Sequence, residues 1–406
     1  MKIRFFHFLL FLSLSVFSQN KIKGIVLSNE NKPLEGASVY LNNTMIGAVT
    51  NNKGEFTLVT KDGQFEIIVS FLGFKKIIHS LHTSTYKKPF VFKLTEEKNI
   101  LNEVVLKKII YDKNWYINLG VFKKEFIGLT ELAKDCKILN PKVLHFDFDY
   151  KNQTLTAYAK KPLQIKNKSL GYLITYELEN FTRTKTHITY LGYTRYKNTK
   201  GSKRKQKKWN TNRRKAYNGS QIHFYKSVIN NSFTEEGFIV NQFKRVPNAE
   251  RPTEAAINKA RRVIRLHKKP IRFNAKITQP KNALDSALLV LQKVKLPKFR
   301  DYLYKSKLLQ KDIINQKNNQ ISLSFTNNLS VIYTKEKEEL GFVNRNIFSK
   351  KRAPLNVQTS AIIPNIKNSA LDKNGILINP LDVFYEGYWS YEKFANSLPL
   401  DYQPED

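Results

Sequence analysis

"PLEGASVYLNNTMIGAVTNNKGEFTL", residues 33–58, decides the fold of the first part of the chain. Ala37, Val39 and Leu41 alternate with Ser38, Tyr40 and Asn42, the period of a strand with one buried face. Pro33 and Gly36 serve the turn before it, Pro by fixing φ and Gly by tolerating positive φ. Asn51, Asn52 and Gly54 read as a tight hairpin turn with Gly54 left-handed. Working outward, "KIKGIVLS" (21–28) supplies a strand before this stretch. "FEIIVSFLGFKKIIHSL" (65–81) supplies two after it, around Gly73, and "PFVFKL" (89–94) one more. Short strands at this spacing predict an all-β sandwich over residues 20–98, followed by a linker over 99–114.

These residues also carry a resemblance. "GIV" (24–26), "PLEGASV" (33–39), "GAVTNNKGEFTL" (47–58) and "IIVSFLGF" (67–74) occur in an order that resembles the carboxypeptidase regulatory-like domain. The resemblance implies an Ig-like sandwich of the transthyretin (prealbumin) type. Such domains accompany metallocarboxypeptidases and precede many TonB-dependent receptors of the Bacteroidetes type. In the latter a segment like "LNEVVL" (101–106) often follows. The family's turn often carries Asp where this chain has Asn51 or Asn52, which argues against a cation there. The domain supplies no chemistry of its own; it packs against something else.

The chain starts MKIRFFHFLLFLSLSVFSQN. Lys2 and Arg4, an apolar run from Phe5 to Phe17 and the small Ser18 have the layout of a secretory signal peptide over residues 1–19. The run is shorter than the ~20 residues of a membrane-spanning helix. Cys136 is the single cysteine, so no intrachain disulfide forms. Its neighbours Lys134 and Lys137 would lower a thiol pKa, but a small buried hydrophobe in a helix is the stronger reading.

No peptidase signature is present. None of the seven His has Glu three residues on, and His79 and His82, the one close pair, have no carboxylate beside them. HExxH, GxSxG and a phosphate-binding Gly loop are absent. The remaining length and pattern do not supply the many ~10-residue alternating strands of a receptor barrel. No cofactor is expected, and these residues identify no small-molecule substrate.

Residues 115–406 read as an α+β domain with antiparallel strands. "LTELAKDCKIL" (129–139) has helical spacing. "NPKVLHFDFDYKNQTLTAYAK" (140–160) is a hairpin turning at 151–153. Residues 170–181 and 186–196 form a longer antiparallel pair. A helix is expected over 214–233, a strand over 235–246, helices over 253–268 and 282–294, and a hairpin over 320–335 around Asn327 and Asn328. "CKILNP", "PLQIKNKSLGY", "EEGF" and "GYWSYEKFANSLPLDY" resemble the region that follows such a sandwich in short flavobacterial exported proteins. That resemblance implies compartment and architecture, and no activity.

Net charge is +36, or +34 without Lys2 and Arg4. No acid lies between Glu179 and Glu235, and "RYKNTKGSKRKQKKWNTNRRK" (195–215) sits in that gap. Like charges repel, so a mobile basic loop is expected over 197–213. Lys203, Arg204, Lys205, Lys207, Lys208, Arg213, Arg214 and Lys215 are the candidate polyanion-binding residues. A second basic stretch runs from Arg251 to Lys281 with Glu254 its one acid. The expected partners are anionic lipid or glycan and an outer-membrane protein; export and the lack of a base-reading motif argue against nucleic acid. The leading expectation is therefore a non-catalytic exported binding or adaptor protein, periplasmic or associated with the outer membrane. The alternative is a hydrolase of peptides or glycans gathering Asp147, Asp149 or His223 in a pocket. Asp147 and Asp149 share a strand face that reads as solvated. Glu235 and Glu236 read as a turn, and Trp115, Trp209 and Trp389 as core and rim aromatics rather than a sugar platform.

Overall fold

The computed structural model describes residues 20–97, 110–159, 161–273, 277–317, 320–345 and 352–404. The expected signal peptide and "LNEVVL" lie outside the described residues.

Seven strands come first: β1 (Asn20–Ser28), β2 (Ser38–Leu41), β3 (Gly47–Val49), β4 (Glu55–Thr60), β5 (Gln64–Ser70), β6 (Ile77–His82) and β7 (Phe90–Leu94). They make two sheets, β4-β1-β7 and β3-β2-β5-β6. All neighbours are antiparallel except β1 and β7, which are parallel. Inward residues such as Ile22, Val39, Phe56, Ile67 and Phe92 form one core between the sheets. The expected hairpin at Asn51–Gly54 is instead a crossover, because β3 pairs β2 while β4 pairs β1. Gly54 has φ +73°, and a Cβ there would lie 2.5 Å from the Val26 carbonyl oxygen. The turn has the left-handed glycine that its residues imply, but the strand leaving it pairs with β1.

Next come α1 (Lys113–Phe126), β8 (Cys136–Ile138), β9 (Leu144–Asp149), β10 (Thr154–Ala159), β11 (Leu163–Asn167), β12 (Tyr172–Arg183) and β13 (Ile188–Asn198). The six strands form one antiparallel sheet, ordered β8-β11-β12-β10-β9 with β13 on the other side of β12. Asp112 caps α1 by accepting from the Trp115 amide, and Phe122 and Phe126 drive its apolar face into the core. The expected helix over 129–139 is a short 3₁₀ turn, Leu132–Asp135, that passes into β8. Cys136 is therefore a strand residue bound into a sheet ladder, opposite Asn167.

The remaining elements are α2 (Lys203–Tyr217), α3 (Gln221–Ile229), β14 (Phe238–Pro247), α4 (Glu254–Leu266), α5 (Ala283–Lys293), β15 (Phe299–Lys305), β16 (Ile314–Lys317), β17 (Gln320–Leu323), β18 (Asn328–Tyr333), α6 (Leu340–Val343), β19 (Gln358–Pro364), β20 (Ala370–Leu371), β21 (Val383–Gly387) and α7 (Tyr388–Tyr391). They build an antiparallel sheet ordered β15-β14-β18-β19-β21 and a smaller one ordered β16-β17-β20. Both share a core with α3 and Trp389. Residues 320–335 are thus no hairpin: β17 and β18 belong to different sheets. The helix expected over 214–233 is broken at Asn218–Ser220, where the Ser220 side chain accepts from the His223 amide to start α3. Arg245 on β14 bonds both Asp301 on β15 and Glu386 on β21. Flat, β14 and β21 would stand about 14 Å apart, at ~4.8 Å per strand. One guanidinium thus ties β14 to its neighbour β15 and to β21, three strands away in the sheet order.

The sandwich is seated on the second sheet. Asn43 donates its amide to Thr194 O, and Tyr196 donates its amide to Thr44 O, both across the edge of β13. Tyr40 OH donates to Glu177 Oε1 at 2.7 Å, and Lys76 Nζ donates to Glu177 Oε2 at 2.9 Å. Leu400 donates its amide to Asn43 O, and the Met45 amide reaches Asp401 Oδ1. Tyr40 and Ile68, paired on the outer face of the sandwich, are consequently buried.

Candidate polyanion-binding surface

The basic run over 197–213 is not a mobile loop. It holds the end of β13 and most of α2. Lys, Arg and Gln are good helix formers. At 100° per residue, Lys203, Arg204, Lys207, Lys208, Arg214 and Lys215 fall within an arc of about 140°. Repulsion is relieved because the stripe is solvated, while Trp209, Asn212, Arg213 and Ala216 turn to the opposite side.

That side is anchored to three consecutive carbonyls of the turn between β11 and β12. Trp209 Nε1 donates to Lys168 O at 2.9 Å, Asn212 Nδ2 to Ser169 O at 2.7 Å and Arg213 Nε to Leu170 O at 2.8 Å. Arg213 also donates to Asn198 Oδ1 and lies over the Tyr172 ring. Gly171, at φ +71°, leaves room for the Trp209 indole; a Cβ there would lie 2.3 Å from Trp209 Cδ2.

Of the eight candidates, the structure places six on one exposed stripe. Lys205 is exposed on the flank beside Gly201. Arg213 is half-buried, turned away from the stripe and held by Leu170 O and Asn198 Oδ1. Lys215 Nζ pairs with Glu339 Oε1 at 3.1 Å. Lys203, Arg204, Lys207 and Lys208 form no ion pair among the described residues. Lys203 and Arg204 open the helix, where its dipole is also positive, so the field of this end is strongly cationic. The inward spacing Trp209, Asn212, Arg213, Ala216 was legible as a helical period inside the basic run; the charge count concealed it.

The residues of the alternative reading are not brought together. Asp147 and Asp149 are exposed on β9, and Asp149 accepts from the Lys151 and Asn152 amides in the following turn. His223 is buried on α3 among Tyr217, Phe238 and Tyr333. Its Nδ1 accepts the Gly219 amide at 3.0 Å, which leaves the proton on Nε2, donated to Glu236 Oε2 at 2.6 Å. Burial holds its pKa below the usual value, with Glu236 opposing. With Nδ1 occupied, no ring nitrogen is left to take a proton from a nucleophile. Ser232 bonds Glu236 rather than His223. Glu235 and Glu236 lie in the turn before β14. Burial pushes the Cys136 thiol up to about 12, so it is unreactive. Trp115 donates to Leu144 O and Trp389 to Gly219 O, both from the core. His79 packs edge-on against Phe90 and Phe92. No metal-holding group of His, Cys, Asp or Glu occurs among the described residues.

A cleft that no motif announces lies between β13 and β21. It comprises cavities of about 370 Å³ and 820 Å³ that share Tyr190, Tyr385, Glu392 and Lys393 as walls. Burial, then the nearby Glu336 and Glu339, pushes the Glu392 carboxyl up to about 8. Neither cavity is lined by Asp147, Asp149 or His223.

Comparison with known proteins bears on the first part of the chain. Residues 22–106 match the CarboxypepD_reg-like domain. A 67-residue stretch, 16% of this chain, is 39% identical to the TonB-dependent receptor SusC of Bacteroides thetaiotaomicron and spans 7% of that protein's length. Among solved structures, a 9R-lipoxygenase from Cyanothece PCC8801 aligns over 52% of this chain and 48% of its own at 10% identity. Its TM-score of 0.16 carries no argument about the fold. The match, the two facing sheets and their shared core lead to one identification: the N-terminal β-sandwich of this protein is a CarboxypepD_reg-like domain.

Proposed function

We propose that this protein is a non-catalytic cell-envelope module that presents the α2 stripe to anionic lipid or glycan, as a binding or adaptor element in the periplasm at the outer membrane. One observation carries the reading. Four cations that form no ion pair among the described residues, two of them at the positive end, line a helix that is pinned on its opposite side to three backbone carbonyls. A pinned cationic stripe spends little entropy on binding, unlike a loop. The local similarity to a TonB-dependent receptor supports an outer-membrane setting, with a protein of that membrane as partner. In this reading residues 1–19 export the chain. Residues 20–98 are a transthyretin-like sandwich, 99–114 a linker, and 115–406 an α+β unit.

The test is fractionation of native cells with low- and high-salt washes, for the parent chain and for K203E/R204E/K207E/K208E. Salt-releasable recovery with the outer membrane, lost in the variant, is the expected result, since surface charge is screened beyond ~8 Å at physiological salt. Equal recovery of variant and parent would overturn the reading. Charge reversal is preferred to deletion of 197–213, because deletion also removes the Trp209, Asn212 and Arg213 anchors.

A further inference from the structure

A second cationic region lies far along the chain from α2. Between β14 and β15 the chain leaves the sheet, runs out along α4, and returns along α5. The two helices pack principally on each other, so they project as a lobe. From residue 251 to 305 there are fifteen Lys and Arg against three Asp and Glu.

The lobe has apolar surface that nothing described covers. All seven residues of β15 are exposed, on both faces of the strand. Phe299 is 52% exposed, Tyr302 52%, Leu303 61% and Tyr304 51%. β15 is an edge strand that pairs with β14 alone among the described strands. On α5, Ala287 and Leu288 are buried, whereas Leu284, Leu289, Val290 and Leu291 are only half-covered. Leu266, which closes α4, and Phe273 beyond it are exposed, with Lys268, Lys269 and Arg272 between them in sequence. Arg261, Arg262 and Arg265 line the wet face of α4.

Exposed aromatics and leucines interleaved with cations match one kind of partner best. A neutral protein surface would satisfy the apolar groups and strand the charge; a soluble polyanion would satisfy the charge and leave the aromatics wet. An anionic bilayer surface takes both, with Tyr and Phe at headgroup level and Lys and Arg on the lipid phosphates. We infer that the α4–α5 lobe and β15 form a seat for the surface of an anionic lipid bilayer, with Tyr302 and Tyr304 entering the headgroup layer. The inference shares the envelope setting of the proposed function and does not depend on the α2 stripe.

The test uses the full chain with vesicles of phosphatidylcholine containing 30% phosphatidylglycerol, against phosphatidylcholine alone. Cosedimentation with the anionic vesicles should exceed that with neutral ones by on the order of tenfold or more. Y302S/Y304S and R261E/R262E/R265E should each reduce it several-fold. These side chains are exposed, and circular dichroism matching the parent confirms the fold. Tyr302→Trp should gain fluorescence that lipids brominated near the headgroup quench, above any quenching of the parent's own Trp. Parent-like binding by both multiple variants, or no added quenching, overturns the inference. Loss of binding on K203E/R204E/K207E/K208E alone assigns the lipid contact to α2 and also overturns it. Concentration-dependent dimerisation abolished by Y302S/Y304S, without vesicle binding, assigns the face to edge pairing between copies and likewise overturns it.

Discussion

The guanidinium of Arg213 lies 4.1 Å from the centre of the Tyr172 ring. This cation belongs to the fold. Its Nε also serves the Leu170 carbonyl, and Tyr172 OH is buried without a hydrogen-bond partner. Arg213→Ala is expected to cost about 2 kcal/mol, from the lost cation–π contact and a charge-assisted hydrogen bond. Arg204→Ala, on the wet stripe, should stay within about 0.5 kcal/mol. Urea denaturation of both variants checks this, and equal small losses would remove the anchoring role.

Gly171 and Trp209 predict a coupled pair. In Gly171→Ala the new methyl must displace the indole, and the left-handed backbone adds strain. A loss of about 2 kcal/mol or more is expected, with a red shift of the Trp209 emission. Trp209→Ala made in that background should cost less than it does in the parent, a non-additivity that a double-mutant cycle reads directly.

The seat of the sandwich predicts a local effect. Glu177→Ala leaves Tyr40 OH and Lys76 facing a seam without their acceptor. Because Lys76 is partly exposed and also reaches Glu179, the expected cost is about 2 kcal/mol rather than the full penalty of a buried broken pair. Hydrogen exchange should quicken at the Asn43 and Tyr196 amides, which bridge the loop to β13. Unchanged exchange there would show that the seam does not depend on Glu177.

Glu392 predicts a pH slope. Its folded pKa is near 8, above the ordinary 4.5, so the folded chain holds this proton more tightly than the unfolded chain. Stability from it is full below about pH 4.5 and is lost as pH rises to about 8. Glu392→Gln should therefore stabilise the protein at pH 9, by on the order of 2 kcal/mol or more, and change little at pH 4.5. His223 contributes the opposite slope. Its lowered pKa means that stability falls as pH drops below about 6.5. Thermal midpoints across pH for the parent and Glu392→Gln separate the two, and identical curves would refute the buried-acid account.

Strands and helices with a clean period were legible. β12 and β13 alternate, α4 and α5 repeat at helical spacing, and each lies where its pattern put it. Pairing was less legible, because alternation reports one covered face and not the neighbouring strand. The Asn51–Gly54 turn and Asn327–Asn328 look like hairpins, yet each joins strands of different sheets. Nothing local to Tyr40 shows that β12 covers it. The cations of the candidate site could be named from sequence. Their arrangement as a stripe could not be read from a charge count, nor could the commitment of Arg213. The cleft was invisible for another reason: its walls come from residues as distant as Asn43 and Leu400.

The Met45 amide and the Asp401 carboxylate that receives it are 356 residues apart. The sandwich closes its own core with residues 20–94, but its outer face waits for β13 and for residues 397–402. During synthesis Tyr40 and Ile68 are therefore wet long after the strands that carry them can pair. For that interval the sandwich is a finished fold with an unfinished surface, which long-range closure makes slow to cover. The seam is thus a clock as well as a joint: the amides at Asn43 and Tyr196 bond Thr194 and Thr44, so neither is concealed before β13 has been made and has docked on the sandwich.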